Sequence, residues 1–295
     1  RPGEVPPEVE RSPRFERAAR AAGVRPLHGA TVAVRDPAAG LDGRLALLVC
    51  DRAGYQNLCA LLTLAKLRVS KEAARNGDAV VSLDELGAYK TGLFGLLLAA
   101  EAPLAELARR DVSAHREAAW QWARAVVAVM GTDALAVEVT RHHHRPEERR
   151  TQRLLRLAEA LGVPAVASGD VRFARADEAP LHDVLVCARV HTTVDRAGRR
   201  LSPSRAWHLR PPAETAAMFR DLPDTLRAAE AVAARCAFTL ADLGYRFPEV
   251  AVPAGETAFS WLHKLTHDGA RRRYRPLTRQ AAAQIARELD LIDRL

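Results

Sequence analysis

Cysteine is scarce and dispersed in this chain of 295 residues. The four cysteines are Cys50, Cys59, Cys187 and Cys236; none belongs to a CxxC pair, and each lies in an apolar segment. This spacing argues against a disulfide framework or a zinc knuckle. It predicts buried, reduced thiols and therefore favours a cytoplasmic location.

Long apolar runs and nucleophile motifs are also lacking. No stretch approaches the ~18 uncharged apolar residues of a membrane helix, so we expect neither a bilayer span nor a membrane partner. The chain starts at Arg1 without the basic-then-apolar pattern of a signal peptide, which indicates a trimmed start or a piece of a longer protein. Because GxSxG and GxxxxGKS/T are absent, the sequence identifies no catalytic residue.

Acidic residues are outnumbered by basic ones, 36 to 44, which gives a formal net charge of +8. A basic balance suits a nucleic-acid partner, because an arginine near a phosphate releases a counterion. Only four of the basic residues are lysines, and alanine is abundant, as in any protein from a GC-rich genome. On composition alone, DNA binding and genome composition explain the charge equally well.

What the chain does have is an alternation of apolar strands and amphipathic helices up to about residue 200. The runs LALLVC, LAVEV and VPAVA predict buried strands, and helical patterns separate them. This order predicts an α/β fold with a parallel sheet or barrel, whose chemistry lies at the carboxyl ends of the strands. After about residue 201 helices predominate, so we place a domain boundary near 195–205. The proline-rich residues 1–14 are predicted to form a loose leader.

Three groups of residues are candidate site residues. His142, His143 and His144 follow a predicted strand, where one of them could bind a metal, although a solvated loop is the alternative. Asp170 follows the next strand, and Arg172 lies two residues further on, which favours an ion pair over a metal site. The third group combines arginines with an aromatic ring, as surfaces that follow a phosphate backbone do, or forms a solvated helix end; it consists of Arg271, Arg272, Arg273, Tyr274 and Arg275.

The order of several segments is informative. The chain contains, in sequence, FERAARAAGVRPLHGA, LLVCDRAGYQNLCALLTLA, LAVEVTRHHH and LAEALGVPAVASGDVRFA. In this order they resemble the amino-terminal PHP domain of bacterial C-family DNA polymerases, the enzymes of the polymerase III α-subunit type. DRAGYQNL and LSPSRAWHLR look most like the error-prone branch of that family. The resemblance runs from about Phe15 to Leu295.

The resemblance implies a distorted β/α barrel that holds a metal cluster in some members and proofreads as a metal-dependent 3′–5′ exonuclease. Its first ligands form an HxH motif, which is missing before Phe15 here. A family glutamate falls on Thr31, and the closing D-x-H motif falls on Asp170 and Arg172. Threonine and arginine cannot replace carboxylate and imidazole ligands. Asp170 is thus the remnant of a degenerate metal site.

The resemblance also implies a division of the chain. Residues 15–200 would form an incomplete PHP-type barrel, and residues 201–295 would form a helical connector and the start of the palm. The family's catalytic aspartates, which hold magnesium in the complete polymerase, lie beyond the match. We therefore expect a fragment of an error-prone, translesion DNA polymerase that needs no cofactor by itself. Its expected partners are DNA, through Arg271, Arg272 and Arg273, and a sliding clamp or accessory proteins. The alternatives are a PHP-type metal-dependent phosphoesterase or exonuclease, and a non-catalytic scaffold.

Overall fold

The structure is a computed structural model that describes residues 7–36, 41–76, 79–101, 103–105, 113–143, 147–202, 204–243 and 251–294. The chain divides into two compact units, Arg1–Leu243 and Gly244–Leu295. The domain boundary near residue 200 that the sequence suggested stays a prediction about the family's domain limits. The division of the structure itself falls later in the chain.

The first unit is built on six strands that form one sheet. They are β1 (Gly29–Asp36), β2 (Leu41–Val49), β3 (Val80–Ser82), β4 (Leu93–Leu97), β5 (Leu135–Thr140) and β6 (Ala165–Ser168), in the spatial order β3-β1-β2-β4-β5-β6. The sheet is not closed, since β3 and β6 each have one strand neighbour among the described residues. This architecture is consistent with the partial PHP-type barrel expected from the sequence, and it confirms the α/β fold class.

The expectation of a parallel sheet is wrong for β2. This strand is antiparallel to both β1 and β4, whereas the β1–β3, β4–β5 and β5–β6 pairs are parallel. The reason lies in the connection between β1 and β2, which is only four residues long. A parallel crossover needs about a dozen residues or more. A connection of four residues can therefore only form a hairpin.

Ten helices belong to the described part of the first unit. They are α1 (Pro7–Ala21), α2 (Arg52–Leu67), α3 (Lys71–Asn76), α4 (Leu83–Tyr89), α5 (Ser113–Met130), α6 (Glu147–Leu161), α7 (Ala179–Arg189), α8 (Val194–Ala197), α9 (Pro212–Met218) and α10 (Pro223–Arg235). Residues 7–14, predicted to lie in a loose leader, therefore form the start of α1, while residues 1–6 lie outside the described residues. Short 3₁₀ turns occupy Thr132–Ala134, Ala176–Glu178, Gly198–Arg200 and Leu240–Leu243.

The sheet has an apolar core on each face. The larger core gathers side chains from α2, α4, α5 and α6 against the strands, with Trp122 and Phe219 fully buried. The smaller core includes Phe94, Val166 and Val232, and α10 packs there against β6. Burying these apolar surfaces contributes most of the stability of such a domain. The carboxyl ends of β4, β5 and β6 consequently meet at one edge of a rigid support.

The second unit contains two helices among its described residues, α11 (Ala258–Arg273) and α12 (Arg279–Asp293). A capping box fixes the start of α11: the Thr257 hydroxyl accepts from the Ser260 backbone N–H, and the Ser260 hydroxyl accepts from that of Thr257. The helical character predicted for the end of the chain is thus present. Across the described residues, no helix is both long and apolar enough to cross a bilayer.

Candidate functional site at the carboxyl ends of β5 and β6

Arg141 fixes the chain where it leaves β5. Its guanidinium donates to both carboxylate oxygens of Asp221, over 2.5 and 2.8 Å, and to the carbonyl of Met218 over 2.8 Å. It also lies 5.4 Å from the centre of the Phe219 ring. Charge-assisted, bidentate contacts of this kind are strong and directional. They hold the residues after β5 against α9.

His142 is buried immediately beyond Arg141. Its ring stacks on that of Trp207, with 4.1 Å between the centres and 8° between the planes. Nε2 donates to the carbonyl of Gly169 over 3.0 Å, and Nδ1 lies 3.0 Å from Glu147 Oε1. Both ring nitrogens are thus engaged with protein oxygens. His142 acts as a bridge between β5, β6 and α6, and it offers no nitrogen to a metal without losing a contact.

The next histidine of the run, His143, does not join this cluster. His143 is exposed and has a φ of +59°, in the left-handed region that a non-glycine residue adopts only at some cost. His144 lies outside the described residues. The histidine run therefore does not converge on a common centre in the part of the chain that the structure describes.

Asp170 lies two residues after β6, also with a left-handed backbone at φ +40°. Its Oδ2 accepts two hydrogen bonds of 3.1 Å, one from Arg172 Nη2 and one from Trp207 Nε1. The Arg172 guanidinium lies 5.2 Å from the centre of the Trp207 ring. The ion pair inferred from the sequence is confirmed. The role of Asp170 as a remnant metal ligand stays a prediction.

Glu138 is a polar residue of this edge that the sequence analysis missed. It lies within β5 and is buried, and one oxygen accepts from the backbone N–H of Ala99 over 3.0 Å. Burial raises the pKa of its carboxyl group, while a hydrogen bond from the Ser168 hydroxyl acts in the opposite direction. A single acid inside the apolar run LAVEV was the signal that could have identified it.

These residues do not fit the metal cluster that a PHP domain can hold. Within the described ranges, no group of three or more His, Cys, Asp or Glu side chains is placed to bind one metal ion. Arg172 supplies a cation beside Asp170, where the family motif has a histidine. Thr31, where the family has a glutamate, lies on β1 and is exposed. A guanidinium beside the carboxylate repels a metal cation instead of binding it.

The three predicted DNA-contacting arginines lie in the other unit, in the last turn of α11, and are exposed. Arg271 Nη1 is 3.3 Å from the Asp268 carboxylate, and Arg272 Nε donates to the Asp268 carbonyl over 3.3 Å. Cations also stabilise a helix at its carboxyl end. Their side chains nevertheless remain accessible to an external anion.

Comparisons with known proteins identify the kind of protein that carries this site. Residues 8–142 match the PHP domain. The chain is also similar to proteins named error-prone DNA polymerase. It is 37% identical over 254 residues to that of Pseudomonas syringae pv. syringae, and the match covers 84% of this chain and 22% of the relative. The corresponding values are 34% over 248 residues for Brucella abortus (83% and 21%) and 34% over 219 residues for Rhodopseudomonas palustris (74% and 18%).

The chain therefore contains a PHP domain, and over most of its length it is similar to error-prone DNA polymerases, which are C-family proteins of the polymerase α type. It spans about a fifth of the length of the curated relatives that it matches. The resemblance drawn from the sequence is thereby confirmed.

The contacts of Asp170 generate a prediction about stability. Replacing Asp170→Ala removes both hydrogen bonds and leaves Arg172 and the indole N–H without their acceptor, so we expect a loss of about 1–3 kcal/mol in the free energy of unfolding. Asp170→Asn retains one acceptor oxygen and tolerates the left-handed backbone, so it should lose less. Urea denaturation of the three proteins measures the difference. A fully stable Asp170→Ala variant that lost a nuclease activity of the parent chain would contradict the structural role.

The buried carboxyl group of Glu138 generates a second prediction, on pH. A raised pKa means that the folded state favours the protonated form, so stability is present below the unfolded pKa and is lost as the pH rises through the folded value. As the pH rises from below to above the ordinary pKa of a glutamate, the wild type should lose stability relative to Glu138→Gln. Urea midpoints across this range, with exposed Glu117→Gln as the control, measure the effect. Parallel curves for wild type and Glu138→Gln would refute it.

Proposed function

We propose that this chain is the amino-terminal scaffold of an error-prone polymerase that acts in cytoplasmic translesion synthesis. The complete enzyme would add deoxynucleotides to a primer end under the direction of a template. The observation that carries the proposal is the continuous similarity to error-prone DNA polymerases over 84% of the chain. The family resemblance also suggests a sliding clamp or accessory proteins as further partners.

The chain's own residues favour a structural role for this chain over a catalytic one. Polymerases use a pair of aspartates and two magnesium ions for phosphoryl transfer, and by the resemblance this pair lies beyond residues 288–292. At the carboxyl ends of β5 and β6, His142 and Asp170 make contacts that join these two strands and the segment around Trp207. These contacts make the edge rigid. Magnesium would accordingly be held by the palm of the complete polymerase.

The alternative of a metal-dependent exonuclease is less favoured by the same contacts. Such an enzyme needs several ligands that surround each metal ion and leave one position for water. Here the Asp170 carboxylate faces the guanidinium of Arg172 and the indole of Trp207. An exonuclease assay of the purified chain with Mg²⁺, Mn²⁺ or Zn²⁺ should therefore show no activity.

A chimeric polymerase tests the proposal. The segment of the Pseudomonas syringae enzyme that aligns with this chain would be replaced by the corresponding residues, and primer extension would be measured on intact and lesion-containing templates. We expect the chimera to extend primers, whereas the same enzyme without the segment should not. A second chimera that exchanges only residues 8–142 limits the effect of mismatched contacts. Folded chimeras that fail to extend any primer would overturn the proposal.

DNA contact through α11 gives a further prediction. Each phosphate contact adds about 0.9 to the slope of log affinity against log salt for duplex DNA. Replacing Arg271, Arg272 and Arg273 by alanine should therefore flatten the slope by up to about three units, from a parent affinity on the order of 10⁻⁴–10⁻⁶ M. A fluorescence anisotropy titration at several salt concentrations measures both slopes.

A matched control separates local contacts from overall charge. Alanine substitutions of Arg279, Arg287 and Arg294, which are exposed in or directly after α12, remove the same charge from the same unit. We expect these to leave the slope nearly unchanged. Equal effects of the two triple substitutions would mean that DNA senses the net charge of +8 and not a site on α11.

A further inference from the structure

His263 and His267 lie side by side on α11, in the second unit. They are four residues apart, so they project from neighbouring turns of the same helical face. The centres of their rings are 4.5 Å apart, and the ring planes make an angle of 40°. The capping box of Thr257 and Ser260 starts the helix one turn earlier and fixes the register of both histidines.

The charged neighbours of the two histidines are paired with other groups. The Lys264 ammonium is paired with Glu256, and the Asp268 carboxylate lies 3.3 Å from Arg271 Nη1. Within the described part of the second unit, the recorded contact of each imidazole is with the other ring. His263 is exposed and His267 is half-buried, so the pair is open to solvent on one side. Its ring nitrogens are available to an external ligand.

Two imidazoles in this arrangement match the ligand preference of a transition metal. Neutral imidazole binds Zn²⁺, Cu²⁺ and Ni²⁺, and histidines four residues apart on a helix can reach one ion, as they do in helical zinc sites. We propose that His263 and His267 together bind one divalent transition-metal ion on the surface of α11. Water or another external donor fills the remaining coordination positions, since no third His, Cys, Asp or Glu of the described residues joins the pair.

This proposal revises the expectation that the chain needs no cofactor. That expectation rested on the missing PHP ligands, and His263 and His267 are not among those positions. The proposed site on α11 shares no residue with the candidate site at the carboxyl ends of β5 and β6 or with the three arginines at the end of α11. Its ion is exchangeable, because two protein ligands and an open side make a site much weaker than a closed four-ligand site.

Calorimetric titration of the full chain with ZnCl₂, NiCl₂ and CuCl₂, after removal of metals with a chelator, tests the proposal. We expect one binding event to be weakened in both His263→Ala and His267→Ala. Loss of an outer partner of a ligand costs about 10–100-fold in affinity, so loss of a ligand should cost at least about tenfold. Cu²⁺ should bind more tightly than Ni²⁺. Circular dichroism shows whether each variant remains folded.

Two controls make the outcome decisive. His208→Ala removes a histidine of the first unit and should leave this binding event unchanged. The double substitution Leu262→His and His263→Ala keeps the number of histidines but places the pair five residues apart, on different sides of the helix, so binding should be lost. Unchanged affinity in both single variants, or full affinity in the double variant, would overturn the proposal. The titration contains no DNA and measures metal binding alone, so neither outcome tests the proposed polymerase function.

Discussion

The short segment that leaves β5 holds the candidate site together. Arg141 is tied to Asp221 and Met218, and the carbonyl of Arg141 accepts from Arg210 Nη2 over 3.0 Å. Removing charges from water is costly unless each is paired, and here the pairs are bidentate and oriented. They fix the backbone from which the next residue, His142, reaches β6. The stack of His142 on Trp207 therefore starts from a backbone that these contacts hold in place.

Arginine at position 172 changes what the edge of the sheet can do. In a metal-binding PHP domain, cations neutralise a group of converging carboxylates and histidines. Here the Asp170 carboxylate is neutralised by the guanidinium of Arg172, and the indole N–H of Trp207 donates to the same oxygen. Because the guanidinium also lies over the indole ring, three side chains stabilise one another. These contacts connect the backbone after β6 to the segment around Trp207.

Local features of this fold could be predicted from the sequence, and features that depend on distant pairs could not. The helix at Glu147–Leu161 follows from its apolar spacing and from Gly162, which ends it in the left-handed conformation. Strand direction does not follow from periodicity: the apolar patterns of β1 and β2 are separated by about ten residues in the sequence, and only the observed strand bounds reveal a four-residue connection. The stack of His142 on Trp207 joins residues far apart in the sequence. The spacing of His263 and His267 is visible in the sequence, but the contact between their rings depends on the helix that contains both.

The distribution of charge supports different roles for the two units. Residues 244–295 contain nine Lys and Arg against six Asp and Glu, so a unit of 52 residues carries +3 of the net +8. Four of these cations, Arg271, Arg272, Arg273 and Arg275, occur within five residues. Coulomb interactions at physiological salt fade over about 8 Å, so an exposed cluster attracts a phosphate more effectively than the same charge spread over a surface. In the first unit, by contrast, the cations that define the site, Arg141 and Arg172, are paired with carboxylates. Local clustering, more than net charge, is thus the physical basis for the nucleic-acid contact proposed for the second unit.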